Sequence, residues 1–481
     1  MAGGGDTVRA EDDWIWKDIP VDERDQPIHE IRLADLRSNV DVEGGMKNAR
    51  NLGSYNWSQV STPGQPEMVV PGAPPRLLDW TPPGTQEYQL RPDSDPDVMT
   101  RRMVDENRYM NPEYPLEPLF ACVEKCQSNL GETVDYQSMD VVTDSNNLKR
   151  LFWFCGGVDS YAGRERERRF RIDVERIGRL VCFIGAFART RRLAHTLLLS
   201  FYFGGVVQPV YLRQKQGVLR VTAPLFTRCS SNAVEAPSDR AYGQDFELKM
   251  AKPTHDYWTT GSFRQVTAFT LGSVRLLVRY QVDCADYSKS QIEEEELSDV
   301  FSPSIPKDEM SSGSRLRCIR YGPKRATYHH VELTSKRCGS RLVDLVWPDM
   351  FMSHINSLLV AWHWDGAVKC QQRHVPAHTH PHTRKQVRET YEGIWRYDMP
   401  TLERQYGGYP RETLSRLVDL LTRVVAIVRE AEEGRKWSLV YCVGASSSTQ
   451  QCLKLYGRPP SSSPSASPDC YKNAILGNRN L

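Results

Sequence analysis

Apolar positions recur at helical spacing in three stretches of the chain. Leu116, Leu119, Phe120 and Val123 form the first set; Leu148, Leu151 and Phe152 in "NNLKRLFWF" form the second. The third is the longest: Leu414, Leu417, Val418, Leu421, Val424, Val425 and Val428 keep one stripe, and Gly434 is placed to end the helix. Strand patterns lie between them. "RERERRFRIDVERIGRLVCFIGAF" holds two alternating runs behind a charge cluster at Arg164 to Arg169 that reads as a solvated loop. "YLRQKQGVLRVTAPLF", "VRLLVRYQVD", "YHHVELTS", "INSLLVAWHWDGAV" and "KWSLVYCV" read as further strands, with a turn at Asp365-Gly366 in the fourth.

The flanks are different. Residues 1–110 are rich in Pro, Gly, Asp and Asn, as in "VVPGAPPRLLDWTPPGTQEY", which predicts an extended irregular arm. The acidic run Glu293 to Glu296, with its Ser- and Pro-rich neighbours, predicts an exposed loop up to about residue 315. "PPSSSPSASPDC" predicts a disordered tail. The expected organisation is an arm over 1–110, one α+β domain over 111–458 built on a mixed β-sheet core flanked by helices, and a tail over 459–481.

Charge narrows the function classes. Lys+Arg 62 against Asp+Glu 60 leaves a net charge of +2, so no global basic field points to nucleic acid or membrane, and any anion site must be local. The 12 cysteines are scattered; Cys122 and Cys126 share a helix face but no second pair closes a zinc site, which favours a reduced intracellular protein, in the nucleus or cytoplasm. "MAGGGDTVRAEDDWIW" has no basic region leading into an apolar run, so no signal peptide is expected. Leu193 to Leu212 is nearly apolar, flanked by Arg191, Arg192, Arg213 and Lys215, and has the length of a membrane span. His195, Gln208, Pro209 and the Gly204-Gly205 break favour a buried helix, a strand pair or an insertion instead.

The stretch "RYQVDCAD" places a carboxylate, Asp283, at the end of an apolar strand, with Gln281 on the same face by the two-residue period. An ionised group there is costly unless it is paired or binds a metal. Glu247 in "YGQDFE" and Glu332 in "HHVELTSK" are two further acids in short strand-like contexts with apolar neighbours. Carboxylates converging from neighbouring elements are the usual holders of Mg²⁺ or Mn²⁺, although each acid alone is as well explained by a strand-end salt bridge. Other chemistries find less support. No phosphate-binding P-loop, nucleophile elbow or dinucleotide fingerprint occurs, and the one Asp-Asp pair, Asp12-Asp13, sits in the irregular arm rather than on a helix as prenyl-diphosphate chemistry requires. His374, His378, His380 and His382 form a His-rich tract broken by Pro376 and Pro381, which reads as an exposed loop with incidental metal affinity.

In order and spacing, these acids resemble the motifs of the eukaryotic decapping exoribonuclease family, the DXO-type enzymes, in a divergent fungal form. "GQDFE" resembles the family's second motif through Gly243, Phe246 and Glu247; "QVD" the third through Val282 and Asp283; "ELT" the fourth through Glu332 and Leu333. "MDVVTDSNNLKRLFWF" looks like the segment presenting the family's motif-one arginine, and "MSHINSLLVAWHWDGAV" like the strand pair after the fourth motif. The resemblance implies a PD-(D/E)XK-nuclease-like fold and Mg²⁺ or Mn²⁺ held by Glu247, Asp283, Glu332 and the Leu333 carbonyl. It further implies hydrolysis at an RNA 5′ end, of decapping, pyrophosphohydrolase or 5′–3′ exoribonuclease type, with an exoribonuclease as a partner.

Gln244 stands where the second motif has an apolar residue, and three polar positions also depart from the family pattern. Ser145 stands where the RNA-contacting arginine is expected, Gln281 where the third motif has its first acid, and Thr334 where the fourth has its lysine. Lys336, on the same strand face as Thr334, could substitute if the strand bulges. Losing a positioned cation from a phosphoryl-transfer site costs on the order of 10²-fold or more in rate. Two readings therefore stand: a hydrolase, weakened by these changes, or a catalytically degenerate nuclease-fold protein that binds RNA or a protein partner.

Overall fold

The computed structural model describes residues 14–42, 45–58, 61–62, 64–78, 87–93, 111–156, 169–186, 198–203, 206–215, 218–221, 242–254, 259–291, 307–310, 314–320, 327–338, 343–369, 372–374, 393–406, 409–441, 451–462 and 464–476. The chain divides into a small unit, Met1–Lys17 with Ala186–Asp239, and a large one, Asp18–Gly185 with Arg240–Leu481.

Two mixed sheets organise the large unit, as the α+β expectation requires. The first has twelve strands in the order β1 (His29–Arg32), β24 (Cys452–Arg458), β23 (Lys436–Tyr441), β7 (Phe170–Ile177), β8 (Leu180–Ala186), β6 (Val141–Asp144), β14 (Val274–Val282), β13 (Thr259–Leu271), β2 (Met46–Ser58), β3 (Glu67–Val70), β17 (Arg317–Arg320) and β16 (Lys307–Met310). The second runs β12 (Ala251–Lys252), β4 (Arg76–Leu77), β15 (Cys284–Ala285), β18 (His330–Arg337), β19 (Ser357–Trp364), β20 (Ala367–Lys369) and β5 (Glu87–Gln89), with β22 (Gly393–Asp398) also on β19 and β21 (Gln372–His374) on β22. The β19–β20 turn falls at Asp365 and Gly366, both at positive φ, 46° and 89°, as a tight hairpin requires.

Helices α1 (Glu117–Asn129), α2 (Ser145–Gly156), α3 (Gly243–Met250), α4 (Val343–Met352), α5 (Met399–Tyr406), α6 (Tyr409–Glu430) and α7 (Asp469–Ile475) cover the faces. The stripe from Leu414 to Val428 on α6 is buried with Leu148, Leu151 and Phe152 of α2 and Trp347 and Met350 of α4, against Leu276 and Val278 of β14. On the opposite face of the first sheet, Leu119, Phe120 and Val123 of α1 pack with Val142, Leu277 and Val266. In β19 the alternation is complete: Leu358, Val360 and Trp362 join the α2–α4–α6 core, whereas Leu359 and Ala361 join Phe246 and Met250 of α3.

Both flanks differ from the sequence expectation. The arm over 1–110 contributes β1 to β5, and β2 lies inside the first sheet between β13 and β3. Proline and glycine punctuation hides this strand because its first half is exposed and only its second half, Leu52 to Ser58, is buried. Arg37 then ties the arm to α6, its Nε donating to Asp419 Oδ1 at 2.7 Å. The tail expected over 459–481 is ordered through 464–476: α7 buries Tyr471 and Ile475 beside Phe120. Ser465 Oγ and the Ala466 N–H donate to Glu175, and Lys472 pairs with the same carboxylate at 3.0 Å. Low-complexity composition predicts disorder only where no such partner waits.

In the small unit, β9 (Leu198–Phe203), β10 (Val206–Lys215) and β11 (Val218–Val221) form an antiparallel sheet, so the described part of the Leu193 to Leu212 run is a strand pair. No described helix is long and apolar enough to cross a membrane. The acidic run Glu293 to Glu296, Arg164 to Arg168, and His378, His380 and His382 lie outside the described residues.

Candidate active site

Asp283 sits where the chain changes sheets. β14 ends at Val282 in the first sheet and β15 begins at Cys284 in the second, leaving Asp283 between them. The alternation that would place Gln281 and Asp283 on one face of a continuous strand therefore stops at Val282. Gln281 is exposed and lies opposite Arg264 of β13 in the ladder, while Asp283 is half-buried and accepts the Leu333 N–H at 2.9 Å. That bond pins the crossover to the middle of β18.

β18 alternates cleanly. Val331 and Leu333 are buried against α3, whereas Glu332, Thr334 and Lys336 form a half-buried row on the other face. Glu247 is not on a strand: "GQDFELKM" is α3. Phe246 and Met250 point into the second sheet's core, which the helical period reproduces and a strand period does not. Two contacts from residues 91–93 hold this helix. The Gln244 N–H donates to Asp93 Oδ1 at 3.0 Å, and buried Asp245 accepts the Arg91 N–H at 2.8 Å and Lys249 Nζ at 2.6 Å.

The three acids sense one another. Burial pushes the Glu247 carboxyl well above the ordinary range, and Asp283 and Asp93 add to it. Burial likewise raises Glu332, reinforced by Asp283 and Asp349, with Lys149 acting in the opposite sense. Asp283 is pushed up to about 6, by burial first; the Leu333 N–H, Arg264 and Lys149 pull it down and Asp349 pushes it up. Glu247, Asp283 and Glu332 thus converge on one region with a fourth acid, Asp349 of α4, and one lysine, Lys149 of α2. The two newcomers form an ion pair.

The donor chemistry, carboxylates with a nearby backbone carbonyl, suits a hard divalent cation. The spacing is looser than a coordination sphere: among the described residues no group of three or more His, Cys, Asp or Glu side chains stands close enough to hold a metal ion. The acids meet as an electrostatic cluster, and a shared cation would require their side chains to close on it.

Lys336, at the far end of the Glu332 row, also acts on a histidine. With Arg337 its charge acts on His363, whose imidazole burial holds down at about 4. Two cations act on the acids: Arg264 of β13, on Asp283, and Lys149, which lies four residues after Ser145 and so on the same side of α2. Neither Lys149 nor Asp349 is among the residues expected from the sequence. The available signals were that i,i+4 relation and a lone acid beside Pro348 in an apolar helix, "VDLVWPDMFM". Cys122 and Cys126 are buried against Gly53, where an added Cβ would stand 2.8 Å from Cys122 Sγ, so they pack the core.

No protein-family model matches the sequence and no curated protein matches it. Solved structures with a similar outline include S. pombe Rai1 in complex with 3′-FADP, at 9% identity over 90% of this chain and 99% of that one, TM-score 0.46. Candida albicans Rai1 in complex with pU5-Mn²⁺ matches at 10% identity over 93% and 99%, TM-score 0.44. K. lactis Dxo1 in complex with manganese matches at 7% identity over 90% and 96%, TM-score 0.40.

Proposed function

We propose that the chain is a divalent-cation-dependent hydrolase of RNA 5′ ends, of decapping, pyrophosphohydrolase or 5′–3′ exoribonuclease type. The observation that carries this reading is the meeting of Glu247, Asp283 and Glu332 from a helix, a sheet crossover and a strand, each half-buried, with Asp283 raising both glutamates and Glu247 adding to the rise of Glu332. Structural ion pairs place an acid beside a base; here four acids face two cations, Lys149 and Arg264, an excess of carboxylate that a divalent cation would offset. The order of the three acid motifs along the chain supports the same reading.

Glu247, Asp283, Glu332 and the Leu333 carbonyl would hold Mg²⁺ or Mn²⁺, the second being the ion named with the Candida albicans and K. lactis structures. A cation there supplies a more acidic water and neutralises phosphate charge. The protein's part is to orient: the Leu333 N–H fixes Asp283, and Asp93 and Asp245 fix α3 so that Glu247 faces the crossover. An exoribonuclease partner and residence in the nucleus or cytoplasm belong to the same proposal.

The second reading, RNA or protein binding without turnover, is favoured by Ser145, Gln281 and Thr334, which leave the phosphate-handling positions uncharged. One experiment separates them. Purified protein with Mn²⁺ is given 5′-monophosphorylated and incompletely capped RNA, and nucleotide release is followed alongside Mn²⁺ titration. Slow release that disappears in Asp283→Ala supports the hydrolase; Mn²⁺ binding with no release in any background supports the binding module.

A further inference from the structure

We propose that Lys149 is the phosphate-binding residue of this site, held by Asp349 when the site is empty and turned to a phosphate oxygen of the RNA 5′ end when substrate is bound, an inference that rests on the RNA 5′-end reading above.

Geometry carries it. Lys149 projects from the second turn of α2, whose first residue is Ser145, and it pairs with Asp349 of α4, which packs alongside. Both partners stay partly open, with side-chain exposures of 18% and 28%, so the pair borders solvent as a substrate-facing group must. Its charge reaches both Asp283 and Glu332. The helix base is immobilised by the pairing of Asp144, the residue before Ser145, with Arg279 of β14. A rigid helix with a long flexible side chain at the edge of an acid cluster suits a lysine that exchanges one anion for another: a carboxylate in the resting state, a phosphate with RNA bound.

Asp349 has a matching role. The four acids act on one another, so ionising them together is costly, and Lys149 offsets part of that cost together with Arg264. A divalent cation bound by the other three acids would take over that task and weaken the hold on Lys149. Cation binding and phosphate capture are thereby coupled through one ion pair.

The test compares binding of 5′-phosphorylated and 5′-hydroxyl oligouridylate of equal length, with Ca²⁺ present to limit turnover, together with direct Mn²⁺ titration. Wild-type protein should prefer the phosphorylated oligomer. Lys149→Met should reduce that preference about tenfold, the value of one charge-assisted hydrogen bond, and Lys149→Arg should keep most of it. Lys149→Met should also bind Mn²⁺ several-fold more tightly, since a competing positive charge is gone; an unchanged Mn²⁺ affinity would overturn the placement of Lys149 beside the acids. Asp349→Asn, which frees the lysine and does not depend on the Met variant folding, should keep the phosphate preference and weaken Mn²⁺ binding. Unchanged phosphate preference in Lys149→Met, while wild-type protein turns over RNA, overturns the Lys149 assignment and leaves the hydrolase standing. Preference lost in Lys149→Met, with no turnover by wild-type protein in Mn²⁺, supports Lys149 as the phosphate ligand and overturns the hydrolase. Wild-type protein with no phosphate preference overturns the Lys149 assignment outright.

Discussion

Arg279 grips Asp144 through two parallel bonds, Nε to Oδ1 at 2.6 Å and Nη2 to Oδ2 at 3.0 Å, across the ladder between β14 and β6. Its remaining nitrogen donates to the Pro115 carbonyl at 3.0 Å and to the Tyr55 hydroxyl at 3.3 Å. One buried guanidinium thus joins the first sheet, the approach to α1 and the base of α2. Arg279→Met should destabilise the fold by about 3 kcal/mol, because Asp144, Tyr55 and the Pro115 carbonyl all lose their bonds to the guanidinium, and Arg279→Lys should recover little since an ammonium lacks the planar fork. Urea denaturation of both variants checks this.

Gln281→Glu with Thr334→Lys restores the acid and the cation that the resemblance places there. Thr334 lies on the acid-bearing row of β18, so a lysine at that position has a short path to the cluster. The double variant should gain more in nucleotide release than the sum of the single variants, because groups in one catalytic unit act non-additively. Initial rates of the four proteins under identical Mn²⁺ measure it, and simple additivity would count against a shared site.

The raised Asp283 makes stability depend on pH with a definite sign. Its folded pKa, about 6, lies above the value of 3.8 for an unperturbed Asp, so the folded state holds the proton over that interval and the unfolded state does not. Stability contributed by the protonated form is present below about pH 4 and lost as pH rises to about 6; Glu247 and Glu332 shift in the same direction. Melting temperatures should therefore gain from added Mn²⁺ above pH 6 and much less at pH 5, where the carboxyls hold protons. Asp283→Asn should flatten the metal-free pH profile and reduce the Mn²⁺ gain.

The C-terminal helix should behave as core. Tyr471 is 4% exposed and stacks on Phe120 with ring centroids 6.4 Å apart. Tyr471→Ala should cost about 3 kcal/mol, a value for a buried aromatic, as read by chemical denaturation. Ending the chain before residue 464 should cost more, since Glu175 would lose Ser465, the Ala466 N–H and Lys472 together.

Where the hydrophobic period was long, the sequence was a reliable guide: α6, α2 and β19 follow their apolar stripes residue by residue. The three acids were legible because each carries an apolar neighbour in a short ordered context. Glu247 was assigned a strand, since a helix as short as "GQDFELKM" gives the period little room to declare itself. Lys149 and Asp349 carry only faint local signals, because their meeting is made by packing between α2 and α4. The same holds for α7, whose burial depends on Glu175 and Phe120, distant in the chain.

β1 pairs with β24, so that Ile31 lies opposite Leu453 and Arg32 opposite Cys452. On a ribosome this sets a clock. The segment around Ile31 leaves the exit tunnel more than four hundred residues before its partner, a wait of at least about 20 s at 5–20 residues per second. Until then β1 has no ladder partner in the first sheet, and β7 waits in the same way for β23, which is made more than two hundred and fifty residues later. The nascent chain therefore exposes strand edges for most of its synthesis, and β1 is the stretch on which a chaperone would have the longest claim.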